Sequence, residues 1–305
     1  MTTASDLHPD HWLFRISPAG VRPYLSLIRA DRPIGFWLLF LPCLWSLSMA
    51  PAAASRLPDP WLVLLFALGA IAMRGAGCTV NDIVDRDYDA KVARTAGRPL
   101  PSGQVSQRQA LMLLVLLLAA GLAVLLCLTP LAIILGVAAL APAAAYPFMK
   151  RFTYWPQAFL GIAFNWGALL GWAAAEGTLA WPAVALYLGG VFWTVGYDTL
   201  YAHQDREDDL SIGIKSTALM FGRATRRWVA VFYLGALAAW AAAGWLAGLS
   251  WPYALGLAAA ALQLAWQVRS LDIDDPYGCL LRFKSNKWAG LLLSAGILAS
   301  ASIAS

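Results

Sequence analysis

Charge is what this 305-residue chain has least of: 13% of its residues are Asp, Glu, Lys or Arg, while 60% are hydrophobic. Soluble domains carry about 25% charged residues, so an ordinary water-soluble globule is excluded. Histidine (three) and cysteine (four) are scarce too. Cys43, Cys78, Cys127 and Cys279 stand apart in mostly apolar stretches with no Cys-x-x-Cys pair. That excludes a disulfide framework and leaves them as inert core thiols. No P-loop occurs, nor a Gly-x-Gly-x-x-Gly in the strand-to-helix setting it needs, so nucleotide binding has no carrier. Nothing points to nucleic acid. The first 33 residues carry charges throughout and lack an apolar core, so no cleavable signal peptide is expected.

What fills the chain instead is apolar sequence. About nine stretches approach the roughly 20 residues needed to cross a bilayer: 34–50, 60–80, 109–128, 130–147, 157–175, 181–200, 226–247, 250–268 and 287–304. Lipid offers the backbone no hydrogen-bond partners, so these segments are expected as helices. Thr129-Pro130 divides one pair, and the turn from Gly248 to Pro252 another. Residues 1–33 read as an N-terminal arm with a short interfacial helix over 21–32, and 34–305 as a single membrane domain. Trp61, Trp155, Trp181, Trp228, Trp251 and Trp288 fall near segment ends, as an aromatic belt would.

The basic residues alternate. The arm holds Arg15, Arg22, Arg29 and Arg32; even-numbered gaps hold the clusters around Arg94, Lys150, Lys215 and Lys284; the other side has only Arg56. The positive-inside rule then places the N-terminus and the even gaps in the cytoplasm and the C-terminus opposite. The expected location is a bacterial inner membrane. Arg74 lies inside the second segment and is expected to face the interior or reach for the membrane edge.

Against this background two acidic clusters stand out: Asn81-Asp82-Ile83-Val84-Asp85-Arg86-Asp87-Tyr88-Asp89 and Asp205-Arg206-Glu207-Asp208-Asp209. On a helix, residues four apart share a face. Asn81, Asp85 and Asp89 form one oxygen-lined stripe, and Asp205 with Asp209 a second. Stacked anions repel unless a cation sits among them, which suggests a divalent metal. Magnesium takes oxygen ligands, often a few carboxylates together with substrate phosphates. Arg94, Arg98, Lys150 and Lys215 stand at the right depth to hold a diphosphate's remaining charge. Asp82, Asp87, Glu207 and Asp208 fall off the stripes and read as solvated or supporting. Asp198, seven residues before Asp205, is expected on the same face and deeper, where an ionisable residue is functional by default. Tyr146, Phe148, Trp166, Trp193, Tyr197 and Tyr201 have the depth to stabilise an allylic cation; ordinary packing is the plainer reading of each.

At these residues the chain resembles the UbiA-type intramembrane prenyltransferases. Gly77 through Asp89 followed by Arg94-Thr95-Ala96-Gly97-Arg98-Pro99 is similar to the family's first signature. Gly196 through Asp209, then Gly213-Ile214-Lys215-Ser216-Thr217, is similar to its second. Asp31-Arg32-Pro33-Ile34-Gly35 and Tyr146-Pro147-Phe148-Met149-Lys150-Arg151 resemble the branch acting on 4-hydroxybenzoate. The resemblance spans roughly residues 29 to 290. It implies an all-α integral membrane protein, a nine-helix bundle with a cytoplasmic helical cap and a side opening to lipid. It implies magnesium-dependent transfer of a polyprenyl chain from polyprenyl diphosphate to the 3-position of 4-hydroxybenzoate, an early step of ubiquinone biosynthesis. Asn81, Asp85 and Asp89 match the first metal cluster; Asp198, Asp205 and Asp209 match the second. Arg94, Arg98 and Lys150 match diphosphate-contacting bases. Asp198 would act as a ligand through water or help remove the ring proton. Arg32 and Arg151 suit the benzoate carboxylate, because arginine meets a carboxylate two-pronged.

Other readings compete. CDP-alcohol phosphotransferases also use intramembrane aspartates, but in one contiguous motif with Asp-Gly and Ala-Arg that this chain lacks. Cation-coupled transporters hold ions near the midplane, whereas both clusters here lie at segment ends. Within the family, other acceptors use similar clusters, and tail length and oligomeric state leave no trace in the sequence.

Overall fold

A computed structural model describes residues 11–52, 57–91, 95–206, 210 and 213–303, with the backbone alone for residues 52 and 205. Among the described residues the chain is helical, without strands. In chain order the helices are α1 Trp12–Ile16, α2 Arg22–Leu27, α3 Ile34–Ala52, α4 Pro60–Asp89, α5 Gln107–Leu125, α6 Pro130–Ala138, α7 Leu140–Phe152, α8 Pro156–Glu176, α9 Trp181–Ala202, α10 Thr217–Phe221, α11 Thr225–Leu246, α12 Trp251–Arg269 and α13 Pro276–Ile303. Proline opens several of them, since a residue in the first turn has no N–H bond to lose. Thr129 caps α6 by accepting from Ala132 N at 3.4 Å, and α8 stops at Gly177, whose φ of +68° suits glycine. The expected segment 130–147 is two helices meeting at Ala139. Pro142 cannot donate to the carbonyl four residues back, at Ala138, and its ring crowds that carbonyl.

Among the described residues, six stretches are long and apolar enough to cross a membrane: Ile34–Pro51, Pro60–Asp89, Gln107–Leu125, Pro130–Phe152, Pro156–Glu176 and Thr217–Leu246. The other three expected segments are helical as α9, α12 and α13, but they are less apolar. Each contributes to a buried polar chain that also takes in Tyr233 of α11. Trp193 Nε1 donates to Asn286 Oδ1 (2.8 Å), and Asn286 Nδ2 to Gln267 Oε1 (3.2 Å). Tyr233 OH donates to the same Gln267 oxygen (2.7 Å), and Gln267 Nε2 to Gln263 Oε1 (2.9 Å). Helices that join through such bonds need not be uniformly greasy.

The chain divides into two compact units, Met1–Phe36 with Leu68–Val124, and Trp37–Ala67 with Leu125–Ser305. In the first, Leu27 of α2 packs with Leu100, Val105 and Ala110, and with Tyr24, Ile83 and Leu113 around them. This fastens the arm and the 95–105 loop to the acidic end of α4. In the second, Trp45, Trp193 and Trp240 meet with ring centroids 5.1 to 5.8 Å apart, all fully buried. Gly256 and Gly296 let α12 and α13 cross closely, since a Cβ on Gly256 would come within 2.6 Å of the Gly296 Cα.

Candidate active site

The acidic end of α4 behaves as its spacing predicts. The helix runs unbroken to Asp89, with Asp85 and Asp89 buried and Asn81 half-buried. The oxygen-lined stripe therefore exists. Thr95 Oγ1 donates to the Asp89 carbonyl at 2.8 Å, closing the helix and turning the chain back. That turn brings Arg98 over the cluster, where its Nη1 lies 2.8 Å from Asp89 Oδ2 and 3.6 Å from Asp82 Oδ1.

Of the two expectations for Asp82, solvation is the one the structure removes. Expected to be solvated or supporting, its side chain is 1% exposed, and Oδ1 accepts from Arg29 Nη2 at 2.6 Å. It falls off the Asn81–Asp85–Asp89 stripe but faces the arm, which a periodicity argument restricted to α4 cannot reveal. Arg29 was likewise unassigned beyond charge. It has φ 58°, in the left-handed region, and Ala30 N donates to Leu25 O (3.0 Å) across the end of α2. Glycine is usual at such a helix end. A non-glycine residue there costs roughly 1–2 kcal/mol, and here the side chain is used: Nη1 donates to Ser26 O at 3.1 Å and Nη2 to Asp82.

Arg32, assigned to the acceptor carboxylate, has Nε 3.2 Å from Asp31 Oδ2. Arg74 lies with its guanidinium against Gly35, in the space a Cβ there would fill, so of the two expectations for it, facing the interior is the one observed.

The second cluster differs from its expected form. The α-helix ends at Ala202 and residues His203–Asp205 form a 3-10 turn. Three residues at three per turn instead of 3.6 shift the phase by about 60°. Added to the α-helical offset of about −20° over seven residues, this leaves the Asp198 and Asp205 backbone positions about 40° apart, the separation of an i,i+4 pair. Asp198 itself is half-buried on α9. Asp209 and Arg94 lie outside the described residues, as does the Asp205 side chain. His203, at 3% exposure, has Nε2 2.9 Å from Thr225 Oγ1, while Thr225 Oγ1 donates to Gly222 O at 2.7 Å. The threonine proton is thus spent, and His203 must donate from Nε2, leaving Nδ1 buried without a hydrogen-bond partner. Burial, reinforced by the Arg206 charge, pushes this imidazole down to about 4.

Lys150 and Lys215 are brought together by a bond the sequence does not announce, Lys215 N to Lys150 O at 2.9 Å. Thr217 N to Gln157 Oε1 (3.1 Å) and the Thr199–Thr217 hydroxyl pair (2.6 Å) hold the same loop to α8 and α9. Lys215 Nζ donates to Phe152 O at 3.3 Å and lies 5.6 Å from the Tyr154 ring centroid. Arg151 lies 5.7 Å from the Phe148 ring centroid. Among the aromatic candidates, Trp193 and Tyr197 are fully buried in the packed core, so packing is their role as observed.

Among the described residues no three His, Cys, Asp or Glu side chains cluster as a metal site on their own. The donors at the end of α4 are nonetheless all oxygens, an amide and two buried carboxylates on one helix face. That is the chemistry of a hard divalent cation which fills its other positions with water and substrate phosphate.

Membrane-length helices ending in a buried acid–arginine cluster define a membrane-embedded helical protein built to handle a charged group at its rim. Comparison makes the class specific. Residues 39–291 match the model of the UbiA prenyltransferase family, and the chain belongs to that family. It is 48% identical over 93% of its length to the 4-hydroxybenzoate polyprenyltransferase, mitochondrial, of Caenorhabditis elegans, covering 80% of that protein. It is 49% identical over 92% to the protein of the same description from Bos taurus, covering 76% of it. Among solved structures it is similar to the apo UbiA homolog from Aeropyrum pernix K1, with TM-score 0.72, 25% identity, and 86% and 97% of the two chains covered. It also shares the fold of the Archaeoglobus fulgidus UbiA homolog bound to GPP and Mg2+, with TM-score 0.64, 17% identity, and 92% and 99% covered.

These relatives overturn the expected location. Their description is mitochondrial, from nematode, bovine and Arabidopsis thaliana alike, so the bacterial inner membrane does not stand. Alternating basic loops report which segment ends share a side, not which bilayer holds them.

Proposed function

We propose that this chain is a 4-hydroxybenzoate polyprenyltransferase, transferring a polyprenyl group from polyprenyl diphosphate to the ring carbon ortho to the hydroxyl and releasing diphosphate. The observation that carries the reading is the buried carboxylate stripe of α4 with Arg98 laid over it. The acceptor follows from relatives of that description, nearly half identical along nine-tenths of the chain.

Asn81, Asp85 and Asp89 on one side, and Asp205 and Asp209 on the other, would hold magnesium. When bound, magnesium supplies positive charge against the departing diphosphate. Arg94, Arg98, Lys150 and Lys215 bind the diphosphate oxygens and stabilise the charge that grows on them as the carbon–oxygen bond breaks. The prenyl carbon left behind is an allylic cation, and the acceptor ring carbon donates its electron pair to it. The ring proton then leaves to a base, for which Asp198 is the candidate. Arg32 and Arg151 orient the acceptor through its carboxylate. The nine long helical segments would make up the membrane domain of residues 34–305, and the tail would reach the site from lipid. The product enters ubiquinone biosynthesis.

The test is transfer of label from a polyprenyl diphosphate to 4-hydroxybenzoate in membranes containing the protein. Asp85→Ala and Asp205→Ala should each lower transfer by roughly 10²-fold or more, the scale of losing one charge-stabilising group, with the protein still folded. Full activity in either variant overturns the two-cluster mechanism, and mass spectrometry of the product reads acceptor and tail together.

A further inference from the structure

Two of the contacts that Arg98 makes have different consequences. Its bond to Asp89 (2.8 Å) uses a carboxylate of the metal stripe. Its contact with Asp82 (3.6 Å) uses one that is off the stripe. Asp82 is the less exposed of the two side chains, 1% against 12%, and the same Oδ1 is held by Arg29 at 2.6 Å. Its second oxygen, Oδ2, is buried without a hydrogen-bond partner. Arg29 in turn keeps a backbone conformation suited to glycine, with its guanidinium shared between Ser26 O and Asp82. A buried carboxylate with two arginines at one oxygen and the other oxygen in reserve is more than charge neutralisation requires.

We propose that Arg29 and Asp82 are positioning residues that anchor Arg98, so that it can exchange Asp89 for the substrate diphosphate without leaving the cluster. A cation at Asp89 would compete with Arg98 for the electron density of the carboxylate. As Asp89 is drawn to the cation its bond to Arg98 weakens, and a second fixed anion helps keep so long a side chain over the site. Asp82 is that anion, and its spare oxygen lets Arg98 tighten on it while presenting its remaining N–H groups outward. Arg29 stops Asp82 from turning away. The proposal rests on the prenyl-transfer reading and goes beyond it, because neither residue need touch substrate.

The experiment uses the purified full chain in detergent, with calorimetric binding of inorganic diphosphate in the presence of magnesium, alongside steady-state transfer. Asp82→Asn should weaken diphosphate binding by roughly tenfold or more, the order of one charge-assisted hydrogen bond. The KM for polyprenyl diphosphate should rise in step, with the KM for 4-hydroxybenzoate unchanged. Arg29→Gly should do the same; glycine adopts the +58° conformation freely, so this variant keeps the fold should Asp82→Asn not. Arg29→Lys, which leaves a cation behind Asp82, should recover binding to within about threefold of wild type. In an Arg98→Ala background, Asp82→Asn should add no further loss, because residues acting through one another are not additive. Unchanged diphosphate binding in Asp82→Asn and Arg29→Gly, equal rises in both KM values, or losses that add to Arg98→Ala would overturn the anchor while leaving the prenyl-transfer reading intact. Failure of the wild type to bind magnesium diphosphate would remove that reading, and the anchor with it.

Discussion

His203 shows how much a single buried side chain can say. Its Nε2 proton is committed to Thr225 and its Nδ1 faces no acceptor, so a second proton would be buried without a partner. The native imidazole titrates near 4, against an ordinary value of 6.5. Above pH 6.5 both folded and unfolded chains hold it neutral. Below that, the unfolded chain takes up a proton that the folded one refuses, so stability is lost as pH falls from 6.5 through 4. The melting midpoint of the purified protein should therefore drop over that window, and His203→Gln should flatten this part of the profile. A His203→Gln profile as steep as wild type would mean that other groups set the slope. Asn81, Asp85 and Asp89 were legible because a four-residue repeat on a continuous helix needs only the helix to exist. Asp82 and Arg29 were not, because the bond between them spans 53 residues and no spacing rule reaches so far.

At the scale of helices, apolar length was the clearest signal and polar content the least clear. Thr129-Pro130 and the Gly248–Pro252 turn mark real helix boundaries. By contrast, the 3-10 turn over His203–Asp205 carries no proline or glycine to announce it. The Trp193–Asn286–Gln267–Tyr233 chain was also invisible, since each residue looks like an isolated polar interruption until the helices pack. Gln267 is its hub, with hydrogen bonds to Asn286, Tyr233 and Gln263. Gln267→Ala should destabilise the protein by about 1–3 kcal/mol, through the groups it leaves unsatisfied. Adding Tyr233→Phe should recover part of that loss by removing one orphaned hydroxyl. Thermal melts of the single and double variants in the same detergent decide this; a double variant as unstable as the sum of its parts would argue against a shared network.

For the molecule as a whole, the acid–arginine pairing separates folding from catalysis. Asp82 and Asp89 already have Arg29 and Arg98 as counter-charges, so the acidic end of α4 does not need a metal to hold together. Chelation with EDTA should abolish prenyl transfer, with magnesium restoring it, while the helical circular dichroism and the melting curve change little. Loss of helical signal on chelation would mean that the cation is structural. Composition and hydropathy made the all-helical membrane class legible, and paired motifs made the family legible. Sidedness was over-read into an address, because loop charge carries no information about which organelle surrounds the bilayer.

Helix α4 has 30 residues, about 45 Å at 1.5 Å per residue, whereas the hydrocarbon layer is about 30 Å thick. Standing upright, α4 exceeds that layer by about 15 Å, and its acidic end is the one whose charges suit the headgroup zone. A water-borne ring and a lipid-borne tail could then meet at the boundary between their two solvents, with neither partner dissolving in the other's phase. In sealed proteoliposomes, molecules whose tip faces outward should use acceptor added to the bath at once, and those facing inward should stay silent until the ring compound is loaded inside.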